Sequence, residues 1–121
     1  MNGNEEFISK LSTTTGVNMQ TAGGAQTLHT GKHGKTTHIS KVVIRNVSAT
    51  LAGGTDYDFT GFRQNVDLSS MTSPSGKSRE LIPTDNTDYT ELAEDIAFQI
   101  TPTTGSTGAA TAVIEVWGYE Y

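Results

Sequence analysis

Turn signals punctuate this chain at short intervals, and their spacing leaves little room for long helices. They fall at Gly16, Gly23-Gly24, Gly31, Gly34, Gly53-Gly54, Gly61, Ser73-Pro74-Ser75-Gly76, Pro83-Thr84-Asp85-Asn86 and Thr103-Thr104-Gly105-Ser106-Thr107-Gly108. Glycine and proline break regular structure, so the segments between them suit the short strands of a sandwich or barrel. Composition agrees: 20 of the 121 residues are Thr, which is β-branched and favours a pleated, half-buried surface. No internal repeat is visible.

A chain of 121 residues is expected to build one core and one domain. The apolar fraction of 34% reaches about 45% with the 13 glycines, so that core is thin. There is no cysteine, so packing or a partner must supply the stability that disulfides give other small domains. The N-terminal MNGNEEFISK has acids where a secretory signal has bases followed by an apolar run, and no segment approaches a spanning helix. A soluble protein without a classical export signal is the expectation. Residues 1–25 are expected to form an N-terminal arm or loop, with Phe7, Ile8 and Leu11 as a short helix or arm and the Thr/Gly-rich stretch from Ser12 to Gln26 as a loop or extended tail. Residues 26–121 are expected to form a single antiparallel β-sandwich of jelly-roll type, with about seven or eight strands and at most one or two short helical turns.

The longest strand candidate is ISKVVIRNVSATL, residues 39–51, with Ile39, Lys41, Val43, Arg45 and Val47 on one face and Ser40, Val42, Ile44 and Asn46 on the other. A strand of a monomeric sandwich alternates apolar-in and polar-out, so two mixed faces suggest that the outer side is also partly covered. The C-terminal segment repeats this pattern, with Ala112, Ile114, Val116 and Gly118 on one side and Val113, Glu115, Trp117, Tyr119 and Tyr121 on the other. The small set suits the interior and the aromatic row an interface, although the pattern alone also fits an aromatic core. Either assignment makes this a central strand. In TDYDFTGFRQNVDL, residues 55–68, Tyr57 and Phe59 share one parity and Phe62, Val66 and Leu68 the other, so Gly61 marks a bulge or bend. Tyr89, Leu92, Ala93, Ile96 and Ala97 have helical spacing, while Ile96, Phe98 and Ile100 alternate. The conflict resolves as a helical turn at 89–94, capped by Asp88 or Thr90, running into a strand at 95–101.

Net charge is −5, unevenly spread. Lys10, Lys32, Lys35, Lys41 and Arg45 lie in a first half whose acids are Glu5 and Glu6, while eleven acids face Arg63, Lys77 and Arg79 from Asp56 onward. The asymmetry fits either complementary subunit surfaces or scattered solvated charges.

Candidate chemistry is sparse. His29, His33 and His38 have helical spacing, but Gly31 and Gly34 argue against a helix, and the H-x-H and downstream Glu of cupin metal sites are missing. Turn histidines at the surface explain them without a metal. Asp56 with Asp58, and Asp85 with Asp88, offer hard oxygen ligands for calcium, yet neither pair has the spacing of an EF-hand loop, and ordinary turns account for both. Thirteen acids cannot be paired across a glycosidase cleft from sequence. No Cys, no G-x-S-x-G and no phosphate-cradling glycine loop is present, so no enzyme activity, catalytic residue, metal or cofactor is assigned. The acidic total disfavours nucleic acid despite the basic run from Lys32 to Arg45. Glycan binding stays open through stacking on Trp117, Tyr119 or Tyr57, provided those rings face solvent.

Three runs, THISKVVIRNVSATL (37–51), GGTDYDF (53–59) and AATAVIEVWGYEY (109–121), resemble small phage virion proteins with a jelly-roll fold. The resemblance implies a capsid-decorating or tail-associated structural subunit in the virion, soluble in the host cytoplasm before assembly. Its implied partners are itself, as a symmetric homo-oligomer such as a trimer, and other virion proteins, with no nucleic acid and no membrane. The expected oligomer interface is Val113, Trp117, Tyr119, Tyr121, Lys41 and Arg45. The rival readings are a carbohydrate-binding β-sandwich module, which exposed aromatic rings in a monomer would favour, and a cupin-like metal enzyme, which metal at the histidines would favour.

Overall fold

A computed structural model describes residues 8–73, 77–83 and 91–121. These residues hold nine strands: β1 (Ser9–Asn18), β2 (Gln26–Thr30), β3 (Thr37–Arg45), β4 (Asp56–Phe59), β5 (Arg63–Val66), β6 (Arg79–Leu81), β7 (Glu91–Leu92), β8 (Ala97–Thr104) and β9 (Thr111–Glu120). One sheet runs β1-β9-β3-β6, with β7 also on β3, and the other β2-β8-β4-β5. Every pairing is antiparallel. The pairs are nested: β1 with β9, β2 with β8, β3 with β6 and β7, and β4 with β5. That is a long hairpin rolled into two sheets, the jelly roll. Because β6 and β7 occupy successive lengths of β3, nine strands fill eight positions.

Both inner faces close on an apolar core in which Tyr57, Phe59, Phe62, Phe98, Ile44 and Ile114 are fully buried. The rings of Phe59 and Phe62 both pack on Phe98. Tyr57 brings a hydroxyl into this core and donates it to the Met19 carbonyl at 2.7 Å, tying one sheet to the loop that leaves β1.

Three local expectations are corrected. The arm or loop over residues 1–25 gives way at Ser9, where β1 begins; its backbone is taken up along β9, and its Ser and Thr side chains suit a half-exposed edge. The domain therefore starts well before residue 26, and Phe7 lies outside the described residues. The strand expected at 39–51 is Thr37–Arg45 and stops at Asn46, whose φ of 53° takes the chain out of the extended region. A register shift between Ile39 and Lys41 also switches its faces, so Ile39 joins Val42 and Ile44 inside while Lys41, Val43 and Arg45 point outward. At 89–94, residues 89 and 90 are outside the described set, but Glu91–Leu92 is a strand on β3 and a turn follows at Glu94 and Asp95. Leu92 is buried while Ile96 is 50% exposed, so the helical spacing was not a buried face. Gly61, at φ 63°, lies in the turn joining β4 to β5, which is the bend that the change of parity there marks.

Candidate functional site

Sheet geometry decides what β9 shows to solvent. Ala112, Ile114, Val116 and Gly118 face the interior, which leaves Val113, Glu115, Trp117 and Tyr119 on the outer face. In β3, Lys41 is paired with Trp117, Val43 with Glu115, Arg45 with Val113 and His38 with Tyr119. Directly opposed residues of antiparallel strands share a face. The six residues expected at an interface therefore lie together, with Tyr121 reaching the group through its ring contact to Tyr119 at 6.0 Å. Gly118 is required here because a side chain on it would meet the His38 carbonyl where β3 shifts register.

The face is a network of mutual contacts. Glu115, buried for a charged residue, accepts from Arg45 Nε at 2.7 Å and from Trp117 Nε1 at 2.9 Å, with Lys10 Nζ at 4.0 Å. The Trp117 hydrogen bond, then the Arg45 hydrogen bond and the Arg45 and Lys10 charges, hold its carboxyl below the usual range against the effect of burial. Lys41 Nζ stands 5.0 Å from the Trp117 ring centroid and 3.2 Å from Glu80. The His38 ring stacks on Tyr119 at 4.8 Å, and its Nδ1 lies 2.9 Å from Glu91, which also accepts from the Tyr121 hydroxyl. Burial works to raise the Glu91 pKa, but the Tyr121 and His38 hydrogen bonds and the His38 charge bring it below its ordinary value. Glu80, Glu91 and His38 were not anticipated as members of this face. Their signal is cross-strand register, which a single sequence does not carry.

The charge asymmetry between the two halves of the sequence resolves inside the fold. The β3 and β1 bases Lys41, Arg45 and Lys10 find the later acids Glu80 and Glu115, because β3 and β1 pair with the strands that carry those acids. With Glu91 beside His38, three lysine or arginine side chains and three carboxylates of the described residues share one sheet face.

The other candidates are dispersed. His29 faces Glu120, His33 contacts Glu94 and Asp95, and His38 contacts Glu91, so the structure does not gather the three histidines. His33, Glu94 and Asp95 do offer ligand atoms within 4.8 Å of one another, all on exposed side chains. Asp58 accepts from the Asn65 N–H and the Thr103 hydroxyl, which lower its pKa, whereas burial and the adjacent Asp58 raise that of Asp56. Asp85 and Asp88 lie outside the described residues. Tyr57, one of three rings considered for glycan stacking, is 0% exposed and cannot present a platform. Trp117 and Tyr119 each have a ring neighbour from the same chain, Lys41 and His38. A depression of about 250 Å³ lies by Ile96 and Phe98, and Glu91 is the one ionisable residue among its lining. Among the described residues no helix is long and apolar enough to cross a membrane.

No family model, no curated protein and no solved structure matches this chain.

Proposed function

We propose that this protein is a non-enzymatic structural subunit that works by self-assembly, with the outer face of β9 and β3 as its interface. The observation that carries the reading is the convergence of Val113, Trp117, Tyr119, Tyr121, Lys41 and Arg45 on that one face. Trp, Tyr and Arg are the residues enriched where proteins meet. A face with both charge signs in equal number can oppose a copy of itself without net repulsion. The sheet edges support the same reading. β6 and β7 are short, β5 has four residues, and Ser12 and Thr14 of β1 donate to the Leu28 carbonyl of β2. Such devices discourage strand addition and leave the faces for association. A place in a phage virion, as a capsid-decorating or tail-associated protein, follows from the sequence resemblance alone.

The test is solution mass by light scattering on a sizing column at two concentrations, for the wild type and a Trp117→Ala/Tyr121→Ser variant. A dimer or trimer that dissociates in the variant, with an unchanged circular dichroism spectrum, is the expected result. A wild type that stays monomeric at the higher concentration, or an oligomer indifferent to both substitutions, overturns the proposal.

A further inference from the structure

The side of the sandwich where β6 and β5 end their sheets carries cations that no carboxylate neutralises. Arg79 is paired in register with the buried Ile44, so strand alternation puts it on the opposite side of β6 from Glu80 and the association face. From there its Nη1 donates to the carbonyl of Asp67, the residue after β5 in the other sheet, at 3.1 Å. Beside this strap is a depression of about 380 Å³ lined by Ser70, Met71, Thr72, Lys77, Ser78 and Arg79. Two cations and three hydroxyls line it, and no acid does. Both walls are fixed by backbone hydrogen bonds. The Met71 N–H donates to the Leu68 carbonyl at 3.0 Å and the Met71 carbonyl accepts from the Leu51 N–H at 2.9 Å, while Arg79 belongs to the β3–β6 ladder.

No ion pair joins Lys77 or Arg79 to a carboxylate among the described residues, and the side chains of Lys77, Ser70 and Ser78 make no hydrogen bond there. Asp67 does not neutralise the site from the side. Its Oδ1 is taken by the Ser69 hydroxyl and N–H, which with a smaller contribution from the Arg79 charge lower its pKa. Unpaired surface lysines are ordinary, and Lys32 and Lys35 are examples; Lys77 differs in sharing a depression with a second cation and three hydroxyls.

Ammonium and guanidinium groups only donate, and hydroxyls donate as readily as they accept. Donors gathered in a depression without carboxylates call for an oxyanion. With one nitrogen held by the Asp67 carbonyl, the guanidinium is oriented and keeps the rest of its fork open. Donors arriving from two walls suit the several oxygens of a tetrahedral group better than the two of a carboxylate. We propose that Lys77 and Arg79, with the Ser70 and Ser78 hydroxyls, bind a tetrahedral oxyanion, the phosphate or sulfate group of a phosphorylated or sulfated molecule. The site stands independently of the assembly reading.

The test titrates sodium phosphate, and separately sodium sulfate, into the isotope-labelled full chain, with ionic strength held constant by sodium chloride. Both anions stabilise folded proteins generally by exclusion from their surface, so the readout is amide chemical shift and not the melting temperature. Saturable shifts at Ser70, Ser78 and Arg79, with affinity at least about tenfold weaker in Lys77→Gln and Arg79→Gln, are expected. Saturation by either anion supports the proposal, and the tighter of the two names the source. Lys77→Gln decides the matter if Arg79→Gln loses its strap and fails to fold. Shifts that stay linear with both anions, as screening alone produces, overturn the proposal. So does binding that survives Lys77→Gln unchanged.

Discussion

Tyr57→Phe removes one oxygen from the core and nothing else. The hydroxyl donates to the Met19 carbonyl at 2.7 Å from a fully buried ring, so its loss is felt. The cost depends on what becomes of that carbonyl. It keeps a second donor, the Ser106 N–H at 2.9 Å, and so is not orphaned. The expected destabilisation is therefore the net value of one hydrogen bond, about 1 kcal/mol, and not the 3 kcal/mol at the upper end for a stranded buried group. In a domain of this size that is a melting temperature lower by about 3–6 °C. Urea titration followed by far-ultraviolet circular dichroism and by fluorescence of Trp117, the single tryptophan, measures it, with an unchanged denaturant slope. Alkaline pH adds a second readout. Burial raises the Tyr57 pKa, although hydrogen bonding with Ser106 works the other way. The folded state then holds this proton more tightly than the unfolded state, so the associated stability is complete below about pH 10 and is lost as pH rises further. The variant has no such proton, and the gap between the two proteins should narrow above that pH. A loss of 3 kcal/mol or more, no loss at all, or a gap that widens in alkali would refute the reasoning.

Other perturbations probe the remaining parts. Gly118→Ala should cost about 3 kcal/mol in the same titration, because the new methyl meets the His38 backbone in the middle of a sheet; a loss under 1 kcal/mol would mean that the β3 register shift is soft. Asp56→Asn should raise the melting temperature at pH 7, where two neighbouring carboxylates are charged, and the advantage should shrink in acid. That sign follows because the raised Asp56 pKa makes its ionisation a burden above its unfolded value; a variant less stable at pH 7 contradicts it. Trp117→Ala should cost less in folding than the roughly 3–5 kcal/mol of an enclosed aromatic, since the ring stands half-buried on the outer face, while the solution mass should respond strongly. A large folding loss with unchanged mass would place Trp117 in the structural core of the monomer.

Much of the architecture was legible in the turns and in strand parity. Gly53-Gly54 and Gly61 bracket β4, and the alternation in AATAVIEVWGYEY gave the central place of β9, while which of its two sides faces the core was left open by the pattern. The failures share one cause: strand identity near a bulge depends on what lies across the sheet. Ser12 to Asn18 has few large apolar residues, so nothing local marks it as a strand until β9 offers its hydrogen bonds. Ile39 and Lys41 have the same parity but end on opposite faces because the register slips between them. The helical spacing around Leu92 was an accident of a strand followed by a turn at Asp95, whose φ is 62°. The candidate face was half legible for the same reason. Its aromatic members announce themselves in β9, whereas Glu80 and Glu91 come from short strands recognisable only by their pairing with β3.

The two outer faces of the sandwich differ in a way that bears on function. On the β2-β8-β4-β5 sheet, Gln99 donates to the Thr27 hydroxyl, Thr60 to the Gln99 carbonyl and Thr103 to Asp58. Short hydroxyl, amide and carboxylate side chains in such ladders hold water well and offer little apolar area to a partner. On the other sheet the comparable positions carry an indole, a phenol ring, an imidazole and the long stems of lysine and arginine, which cover apolar surface while keeping charge at the rim. If both faces served only solvation, nothing would require that aromatic area to lie outside a core this thin. Its cost in exposed apolar surface is offset if a partner covers it, and the equal number of acids and bases around Trp117 supports a partner with the same surface. The asymmetry between the sheets thus supports association through one face, with the Thr-rich face left to water.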